Sequence, residues 1–429
     1  MARKMKDSGI EWIGEIPEGW EVSQLKYATR WKSEKGCPDA PVLSLYRDFG
    51  VVPKDSRNDN HNVTSLDTSN YKVVDIRDLV INKMKAWQGS MAVSDYRGIV
   101  SPAYHVCSIT SNKVNKRYLH HLLRNPAYLP EYARLSTGMR IGQWDLGFDD
   151  FKNIPFLIPP LDEQAKIADY LDNGCASLDV ILDKTRSSIE EYKKLKQAVI
   201  TQAVTKGVRG EREMKDSGNP WFGQIPTDWK LSRVGLHFSI ILGKMLCNAP
   251  LNDTYTLEPY YCAADVHFDG VADGERKKMW FSPVEKELYR VSVGDLLVVE
   301  GGAGAGGSAI VENQDSYTYI QNSIMIVRSK GNTDNRYLRY LLEFLVKQGY
   351  IDVVCNKATI PHFTKDKLSC VPFCLCPTGE QKEIADYLDA KCAEIDKLIA
   401  KKEQLVKELE NYKKSLIFEY VTGKKELRR

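Results

Sequence analysis

The stretch EQAKIADYLDNGCASLD at residues 163–179 recurs as EQKEIADYLDAKCAEID at residues 380–396, displaced by 217 positions. Carried without a gap over residues 160–205 and 377–422, this match keeps 18 of 46 positions. A second match pairs residues 5–25 with residues 214–234, where 11 of 21 positions are identical. The residues between the matches, roughly 26–158 and 235–375, align only in scattered places. The chain is therefore a duplicated frame that carries two unlike inserts.

Each copy of the stretch lies in a long segment with helical periodicity. Apolar residues recur at alternating steps of four and three for more than four heptads, which predicts a coiled-coil seam. The predicted seam is Leu171, Cys175, Leu178, Leu182, Thr185, Ile189, Tyr192, Lys196, Val199 and Ala203, matched in phase by Leu388, Cys392, Ile395, Ile399, Lys402, Val406, Leu409, Lys413, Leu416 and Tyr420. Lys196 and Lys413 interrupt the seam at equivalent places, which favours one fixed pairing register.

The short linker between the two copies predicts how the helices pair. It spans at most about 30 Å, so the second insert begins near the far end of the first helix. We therefore expect an antiparallel pair, each helix roughly 65 Å long, with the inserts at opposite ends and pseudo-two-fold symmetry. The predicted divisions are 1–158 (first repeat and recognition insert), 159–206 (first long helix), 207–213 (linker), 214–375 (second repeat and recognition insert) and 376–429 (second long helix).

Both inserts have the pattern of mixed α/β domains built from short strands. Candidate strands are residues 40–46, 78–84, 89–94 and 98–109 in the first insert and 260–266, 294–301, 307–312 and 317–328 in the second. One helix is predicted after them in each insert, with a shared RYLxxLL pattern at 117–123 and 336–342. A further strand then leads into the long helix. The predicted fold class is α+β, with two mixed α/β domains separated by a long antiparallel two-helix coiled coil.

The composition excludes several classes of protein. A chain of 429 residues with 43% hydrophobic and 27% charged residues is typical of folded globular domains. Its apolar runs are too short to cross a bilayer and its first residues lack a signal peptide, so we expect a cytoplasmic protein without membrane association. The ten cysteines show no zinc-ligand spacing. A net charge of +3 neither predicts nor excludes binding to nucleic acid.

The sequence contains no recognisable catalytic set. Gly302, Gly304 and Gly307 satisfy GxGxxG, but a dinucleotide site needs a helix next, and residues 308–312 have the pattern of a strand. No GxxxxGK[ST] phosphate loop occurs, and the seven histidines have no repeated partner for a triad or a metal site. We therefore expect a protein that is not an enzyme and that binds neither a metal nor a cofactor.

Polar, basic and aromatic loops of the inserts are the candidate binding elements. They are residues 53–62, 83–89 and 137–145 in the first insert and 273–280, 300–307 and 356–365 in the second. Arg and Lys side chains pair with phosphates or guanine edges, and Asn and Gln pair with adenine. The candidate DNA-binding residues are Lys83, Lys85, Gln88, Arg140 and Gln143 in the first insert and Lys277, Lys278, Lys357 and His362 in the second.

The chain resembles the specificity (S) subunits of type I restriction-modification systems over essentially its whole length. The resemblance rests on PxxEQxxIAxYLD at 160–172 and 377–389, on WxGxIPxxW at 12–20 and 221–229, and on the two RYL helices. It implies two target recognition domains, each reading half of an interrupted, asymmetric site in double-stranded DNA. It also implies that the long helices set the spacer and dock two methyltransferase subunits, and that restriction subunits join the larger complex. S-adenosylmethionine and ATP would then bind those partners, with no catalytic residues in this chain.

Two other classes of function remain as alternatives. A non-catalytic scaffold would use the two inserts as protein-binding modules on a coiled coil, and the near-neutral net charge favours it slightly. A self-contained enzyme is disfavoured by the missing motifs. A gel shift on random DNA duplexes, with and without a methyltransferase subunit, separates a DNA reader from a protein scaffold.

Overall fold

The protein was analysed as a computed structural model, which describes residues 3–47, 49–57, 64–65, 67–138, 144–313, 317–355 and 361–427. These residues form two compact units, one made of Met1–Arg186 with Glu403–Arg429 and the other of Ser187–Lys402. Each unit contains one insert and one part of each long helix. The two units are described separately below.

The first unit is built from short strands, three short helices and parts of the two long helices. Its strands are β1 (Met5–Asp7), β2 (Glu15–Pro17), β3 (Glu21–Gln24), β4 (Thr29–Lys32), β5 (Leu43–Tyr46), β6 (Gly50–Pro53), β7 (Lys72–Val74), β8 (Leu79–Asn82), β9 (Met91–Val93), β10 (Gly98–Val100), β11 (Tyr104–Ile109), β12 (Ser136–Thr137), β13 (Asp145–Leu146) and β14 (Pro155–Ile158). Its helices are α1 (Lys116–Leu123), α2 (Leu129–Leu135), α3 (Phe148–Phe151) and the first part of α4 (Leu161–Lys206).

The second unit has a similar set of elements. Its strands are β15 (Met214–Asp216), β16 (Gln224–Pro226), β17 (Lys230–Arg233), β18 (Phe238–Leu242), β19 (Thr256–Tyr261), β20 (Val266–His267), β21 (Gly270–Val271), β22 (Lys277–Phe281), β23 (Leu296–Val299), β24 (Ser308–Ile310), β25 (Tyr319–Ile320), β26 (Ile324–Ser329) and β27 (Pro372–Leu375). Its helices are α5 (Val234–His237), α6 (Pro283–Tyr289), α7 (Asn335–Lys347), α8 (Tyr350–Val354), α9 (Lys365–Ser369), the last part of α4 and the first part of α10 (Thr378–Val421). The last part of α10 belongs to the first unit.

Both units contain the same central antiparallel sheet. Its strand order is β4-β11-β8-β9 in the first unit and β18-β26-β23-β24 in the second. The hairpin β1-β2 matches β15-β16, and the pair β3-β14 matches β17-β27. Outside this shared part the first unit adds β5-β6 and β7-β10, whereas the second adds β19 with β22 and β25. The predicted α+β class is confirmed, and the additions account for the poor alignment of the inserts.

The single helix predicted after the strands is interrupted in both inserts. In the second, α7 runs from Asn335 to Lys347, and α8 follows after Gly349. In the first, α1 ends at Leu123, and α2 begins only at Leu129. The prediction of one helix was therefore wrong in both inserts. In the first, Pro126 has no backbone N–H to continue the helix. The Asn125 side chain instead accepts a hydrogen bond from the Ala127 N–H at 2.8 Å.

Three of the predicted strands also differ from the structure. Residues 98–109 and 317–328 each divide into two strands, β10 with β11 and β25 with β26. The candidate strand at 260–266 instead ends at Tyr261 and begins at Thr256. A turn at Ala263–Asp265 follows, because the Asp265 carboxylate accepts the Cys262 N–H at 2.7 Å. Polar side chains that bond to nearby backbone groups favour such turns over strands.

The long helices pair antiparallel within each unit, as the linker predicted. In the first unit Asp179 pairs with Lys413, and Arg186, further along α4, pairs with Glu410, which comes earlier in α10. In the second unit the Lys402 ammonium lies 5.7 Å from the Tyr192 ring centre, and Lys196 pairs with Asp396. Residue numbers therefore rise along one helix as they fall along the other. Within the described ranges, no helix is apolar over a length that would cross a bilayer.

The glutamate of each EQ pair fastens its long helix to the N-terminal repeat. In the first unit the buried Trp20 indole donates a hydrogen bond to Glu163 at 3.0 Å, and Arg3 contacts the same carboxylate at 2.6 and 2.9 Å. In the second unit Trp229 donates to Glu380 at 3.2 Å, and Arg212 pairs with it. We call each set a Trp–Glu–Arg clasp. Charge-assisted hydrogen bonds of this kind are stronger than neutral ones.

The glutamine of each EQ pair holds the start of the RYL helix. Gln164 is 1% exposed; its Oε1 accepts the Asn115 N–H at 2.8 Å, and its Nε2 donates to the Lys113 carbonyl at 2.9 Å. Gln381 likewise accepts the Asp334 N–H at 3.0 Å. Asn115 and Asp334 are the N-caps of α1 and α7, since each side chain accepts two backbone N–H groups. The repeated stretch thus orients a helix in each domain.

Candidate nucleic-acid interface

Two candidate loops of the first domain meet at one end of its central sheet. The first connects β8 to β9 (residues 83–90), and the second contains Trp144 and β13. The Leu146 N–H donates to the Lys83 carbonyl at 3.0 Å, and the Lys83 ammonium donates to Asp145 at 2.8 Å. The Trp87 and Trp144 rings pack edge to face with centres 5.0 Å apart. We call these two segments the first loop pair.

The candidate residues of the first domain take different places in this loop pair. Lys85 is exposed at its surface and Gln88 is half-buried. Lys83 is 32% exposed, and its charge is balanced by Asp145. Arg140 and Gln143 lie outside the described residues, although the strands that flank them, β12 and β13, are paired. Of these five residues, Lys85 is the described cation with the freest access to a ligand.

Three buried polar atoms at the first loop pair have no hydrogen-bond partner in the described structure. They are the Trp87 Nε1, the Asp145 Oδ1 and the His105 Nδ1. His105 approaches the Leu146 carbonyl with its other ring nitrogen at 3.2 Å. Burial lowers the pKa of His105, and the nearby ammonium of Lys72 adds to this effect. A buried unpaired polar atom is costly, so such atoms favour a bound water or ligand.

The sequence analysis missed Lys72 and Trp31 near this loop pair. Lys72 is 9% exposed and donates to the Tyr104 carbonyl at 2.6 Å. Burial lowers its pKa, and the positive charge of Lys83 lowers it further. Trp31 is 51% exposed on β4 and stacks on Phe148 with ring centres 5.2 Å apart. The sequence signal available for Trp31 was an aromatic residue between two basic ones, Arg30 and Lys32, since aromatic faces stack on nucleic-acid bases.

The second domain brings two loops together at the equivalent place. The connection from β23 to β24 (residues 300–307) bridges to the segment at 361–363. The Gly302 N–H donates to the Pro361 carbonyl at 3.2 Å, and the Phe363 N–H donates to the Glu300 carbonyl at 2.6 Å. The His362 Nδ1 lies 3.8 Å from a Glu300 carboxylate oxygen and is 60% exposed. We call these segments the second loop pair.

The glycines of the second loop pair serve close packing. The run is followed by β24, a strand, as the pattern of residues 308–312 predicted. A Cβ on Gly301 would lie 3.2 Å from the His362 ring, and Gly302 has a φ of +90°. Both positions therefore favour glycine. Lys357 lies outside the described residues, so the structure gives it no place in this loop pair.

Lys277 and Lys278 were predicted to lie in a loop, which was wrong. Both belong to β22, which pairs antiparallel with β19 and places Lys277 opposite Tyr260. The strand forms because Met279 and Phe281 alternate into the core, being 1% and 0% exposed. Both lysines are exposed. No contact found among the described residues joins them directly to the second loop pair.

The two loop pairs occupy matched places but differ in chemistry. The first presents ammonium groups and indole rings, whereas the second presents an imidazole, a carboxylate and exposed glycine backbone. Neither contains an arrangement of nucleophile and base. Nowhere in the described ranges do three His, Cys, Asp or Glu side chains group as a metal site would require. The arrangement is suited to hydrogen bonding and stacking on an extended polar ligand.

The predicted seam residues lie along the paired faces of the two long helices. Lys196 and Lys413 are half-buried, and each contacts a carboxylate of the facing helix at 2.6 Å, Asp396 and Asp179 respectively. These two ion pairs are related by the 217-residue repeat, since each joins equivalent positions. Val406 is half-buried, and the buried seam residues include Leu171, Leu178, Leu182, Ile189, Leu388, Ile395 and Ile399.

Comparison with known protein families gives one consistent match. The sequence profile of the type I restriction modification DNA specificity domain matches residues 17–191 and again residues 226–410. The chain is 26% identical to the putative type I restriction enzyme MjaX specificity subunit of Methanocaldococcus jannaschii, over 96% of this chain and 95% of that protein. It is 24% identical to the MjaVIII specificity subunit of the same organism, over 95% and 93%.

Two solved structures share the fold. A chain from work on complex assembly and conformational transition of the type I R-M system aligns with a TM-score of 0.70 at 17% identity, over 95% of this chain and 99% of that one. The HsdS subunit from Thermoanaerobacter tengcongensis aligns with a TM-score of 0.52 at 16% identity, over 95% and 98%. At these identities the likeness concerns the fold alone.

Proposed function

Because this chain belongs to the family of type I restriction modification DNA specificity proteins, we propose that it reads an interrupted, asymmetric site in double-stranded DNA. Each domain reads one half-site through its loop pair. The observation that carries the proposal is that the loop pairs lie at matched places and differ in chemistry. Readers with different donors and acceptors recognise different bases, so the two half-sites differ.

The described side chains suggest separate roles in the first domain. Lys85 is exposed and supplies a cation for a phosphate or a guanine edge. Gln88 supplies an amide that pairs with adenine. Trp31 offers an exposed aromatic side chain on β4 for stacking. In the second domain His362 and the backbone of residues 300–307 take the equivalent role, and Lys277 with Lys278 supplies phosphate contacts.

We assign the other functions of the complex to partner subunits. The paired long helices set the number of base pairs between the half-sites and dock two methyltransferase subunits. S-adenosylmethionine and ATP bind to the methyltransferase and restriction subunits, and this chain performs no chemistry itself. The fixed register supports this role for the helices, since Lys196 and Lys413 each pair across to the facing helix.

Exchange of one insert tests the division into half-sites. Residues 26–158 are replaced by the equivalent segment of a related specificity subunit, and the chain is expressed with its methyltransferase. Sequencing of modified bases in host DNA should show one altered half-site and one unchanged half-site. A change in both halves, or in neither, contradicts the proposal.

A heptad insertion tests whether the helices set the spacer. Seven residues are added after Ser188 and seven after Leu405, the position that matches it in the second copy. Each helix lengthens by about 10.5 Å, which corresponds to about three base pairs. The methylated site should keep both half-sites and gain about three base pairs between them. An unchanged spacer contradicts this role.

A binding assay separates the DNA reader from a protein scaffold. The chain and its methyltransferase are mixed with a duplex that carries the methylated site and with a shuffled duplex. Specific complexes are typically about 10³-fold or more tighter than non-specific ones. Equal affinity for both duplexes favours a scaffold.

A further inference from the structure

The second unit has an open cleft beside the C-terminal end of α4. Its volume is about 610 Å³. It is lined by Val199, Gln202 and Ala203 of α4, Tyr387 of α10, and residues 206–212 with Met214. Tyr387 is 40% exposed and lines the cleft.

The first unit fills the equivalent position with its own side chains. The repeat relates Ala203 to Tyr420 and Tyr387 to Tyr170. The Tyr420 ring lies 4.6 Å from the Tyr170 ring, centre to centre, and Tyr420 is 5% exposed. Leu416, the counterpart of Val199, is 4% exposed beside them. The two units thus differ by the loss of one aromatic ring in the second.

The charges at the rim of the cleft favour a protein partner with an acidic group. Lys206, Arg209 and Arg212 line it, against one carboxylate, Glu211. Arg209 pairs with Glu383, and Arg212 pairs with Glu380. Lys206 is exposed and makes no ion pair in the described part of the chain. It therefore remains available for a carboxylate next to a bound ring.

We propose that this cleft receives an aromatic side chain, with an adjacent carboxylate, from one of the two methyltransferase subunits. The incoming ring packs on Tyr387 as Tyr420 packs on Tyr170 in the first unit. The inference rests on the proposed docking of methyltransferase subunits to the long helices. It makes the two docking positions unequal, because only the second position takes an anchor from the partner.

The same substitution at the two equivalent tyrosines tests the proposal. Tyr387→Ala removes a ring that lines the cleft, whereas Tyr170→Ala removes a ring that already packs on Tyr420; the two residues are 40% and 41% exposed. Each variant is purified and titrated with the methyltransferase subunit. Tyr387→Ala should weaken the binding of one subunit at least tenfold, and Tyr170→Ala less than twofold. Equal effects of the two substitutions overturn the proposal.

A second variant fills the cleft from within. Ala203→Tyr restores the side chain found at Tyr420, and Ser187→Tyr adds the same ring at an exposed position of α4. Native mass spectrometry should detect one bound methyltransferase subunit with Ala203→Tyr and two with Ser187→Tyr. Two subunits bound with unchanged affinity to Ala203→Tyr overturn the proposal. If that variant fails to fold, the tyrosine pair decides the question alone.

The outcomes separate this inference from the proposed function. If the unaltered chain binds no methyltransferase subunit, the proposed docking itself fails. If it binds two and the cleft variants have no effect, only the inference fails. If the chain alone dimerises and Ala203→Tyr abolishes the dimer, the occupant is a second copy of this chain, and the inference is overturned.

Discussion

The ion pair between Lys83 and Asp145 joins the two segments of the first loop pair, although these residues are 62 positions apart in the sequence. Both side chains are partly exposed, at 32% and 44%, so their ion pair contributes at most about 1 kcal/mol to stability. Its effect is to fix the distance between the two loops of the first loop pair. A lysine that pairs with a carboxylate also presents less charge to DNA. We therefore regard Lys83 as a positioning residue and Lys85 as the contact residue.

Substitution of Asp145 should change recognition of one half-site only. Asp145→Asn should weaken binding to the first half-site about threefold to tenfold, because the two loops lose a contact of about 1 kcal/mol. The affinity is measured on duplexes altered in one half-site at a time. Asp149→Asn, which breaks an exposed pair with Lys152, is the control. The exchange Lys83→Asp with Asp145→Lys should restore binding, and failure to do so contradicts a positioning role.

The buried carboxyl group of Glu343 makes stability depend on pH. Glu343 is 6% exposed on α7, and burial raises its pKa above the ordinary value of 4.5, although Arg339 at 3.1 Å opposes the shift. A raised pKa favours the neutral form in the folded state. Its contribution is therefore fully present below about pH 4.5 and is lost as pH rises through the folded-state pKa.

Glu343→Gln should remove this dependence. Compared with that of the unaltered chain, the free energy of unfolding of the variant should become larger as pH rises from 4.5 toward 7.5, so the variant becomes relatively more stable. Urea unfolding at four pH values measures the difference, and Glu403→Gln at an exposed position of α10 is the control. A difference that stays constant with pH contradicts the assignment.

At the scale of the element, the repeated EQ pair explains how each long helix holds its domain. Gln381 is fully buried; its Oε1 accepts the Asp334 N–H at 3.0 Å, and its Nε2 donates to the Cys376 carbonyl at 2.8 Å. It therefore joins α10 to the start of α7 and to the segment after β27.

Gln381→Ala should destabilise the second unit strongly. Each unpaired buried group costs about 1–3 kcal/mol, so the expected loss is about 3 kcal/mol. Chemical unfolding followed by circular dichroism measures it. Gln404→Ala removes an exposed contact with Glu408 at 2.9 Å on the same helix and should cost less than about 0.5 kcal/mol. Similar losses for the two variants would refute the capping role.

The elements that follow from local patterns were predictable, and those that depend on distant contacts were not. The spacing of Leu178, Leu182 and Ile189 predicted the long helix, since one face repeats every 3.5 residues. The contact of Trp20 with Glu163 joins residues 143 apart and leaves no local signal. Lys277 was predicted to lie in a loop because it belongs to a run of charged residues. The alternation of Met279 and Phe281, which indicates a strand, was overlooked.

At the scale of the whole molecule, a nearly neutral chain is proposed to bind a polyanion. A net charge of +3 on 429 residues gives little long-range attraction, so binding depends on local cations such as Lys85 and Lys278. Phosphate contacts release counterions, which makes affinity fall with salt. The net charge therefore says little about the salt dependence of binding.

Binding of the chain with its methyltransferase should weaken steeply as salt rises. Six to ten phosphate contacts predict a loss of about 10³ to 10⁵ in affinity between 50 and 200 mM salt. Lys278→Ala should reduce the slope of log K against log salt by about 1 and weaken all sequences alike. Titrations at five salt concentrations measure both. A slope unaffected by the substitution places Lys278 away from the phosphates.

The distance between the two copies of the EQ stretch has a genetic consequence. The displacement of 217 residues equals 31 heptads, so a crossover between the two copies in the gene would leave the seam in phase. The product would keep 212 residues, with one recognition domain, one long helix and a complete clasp in which Glu380 faces Trp20. The seam of its single long helix would have no facing helix in the same chain. The helix of a second copy of this shortened chain would pack against it. Under the proposed function, a pair of such chains would read two identical half-sites. Duplication of a gene for such a short chain, the opposite of this deletion, would produce a chain with the repeats seen here.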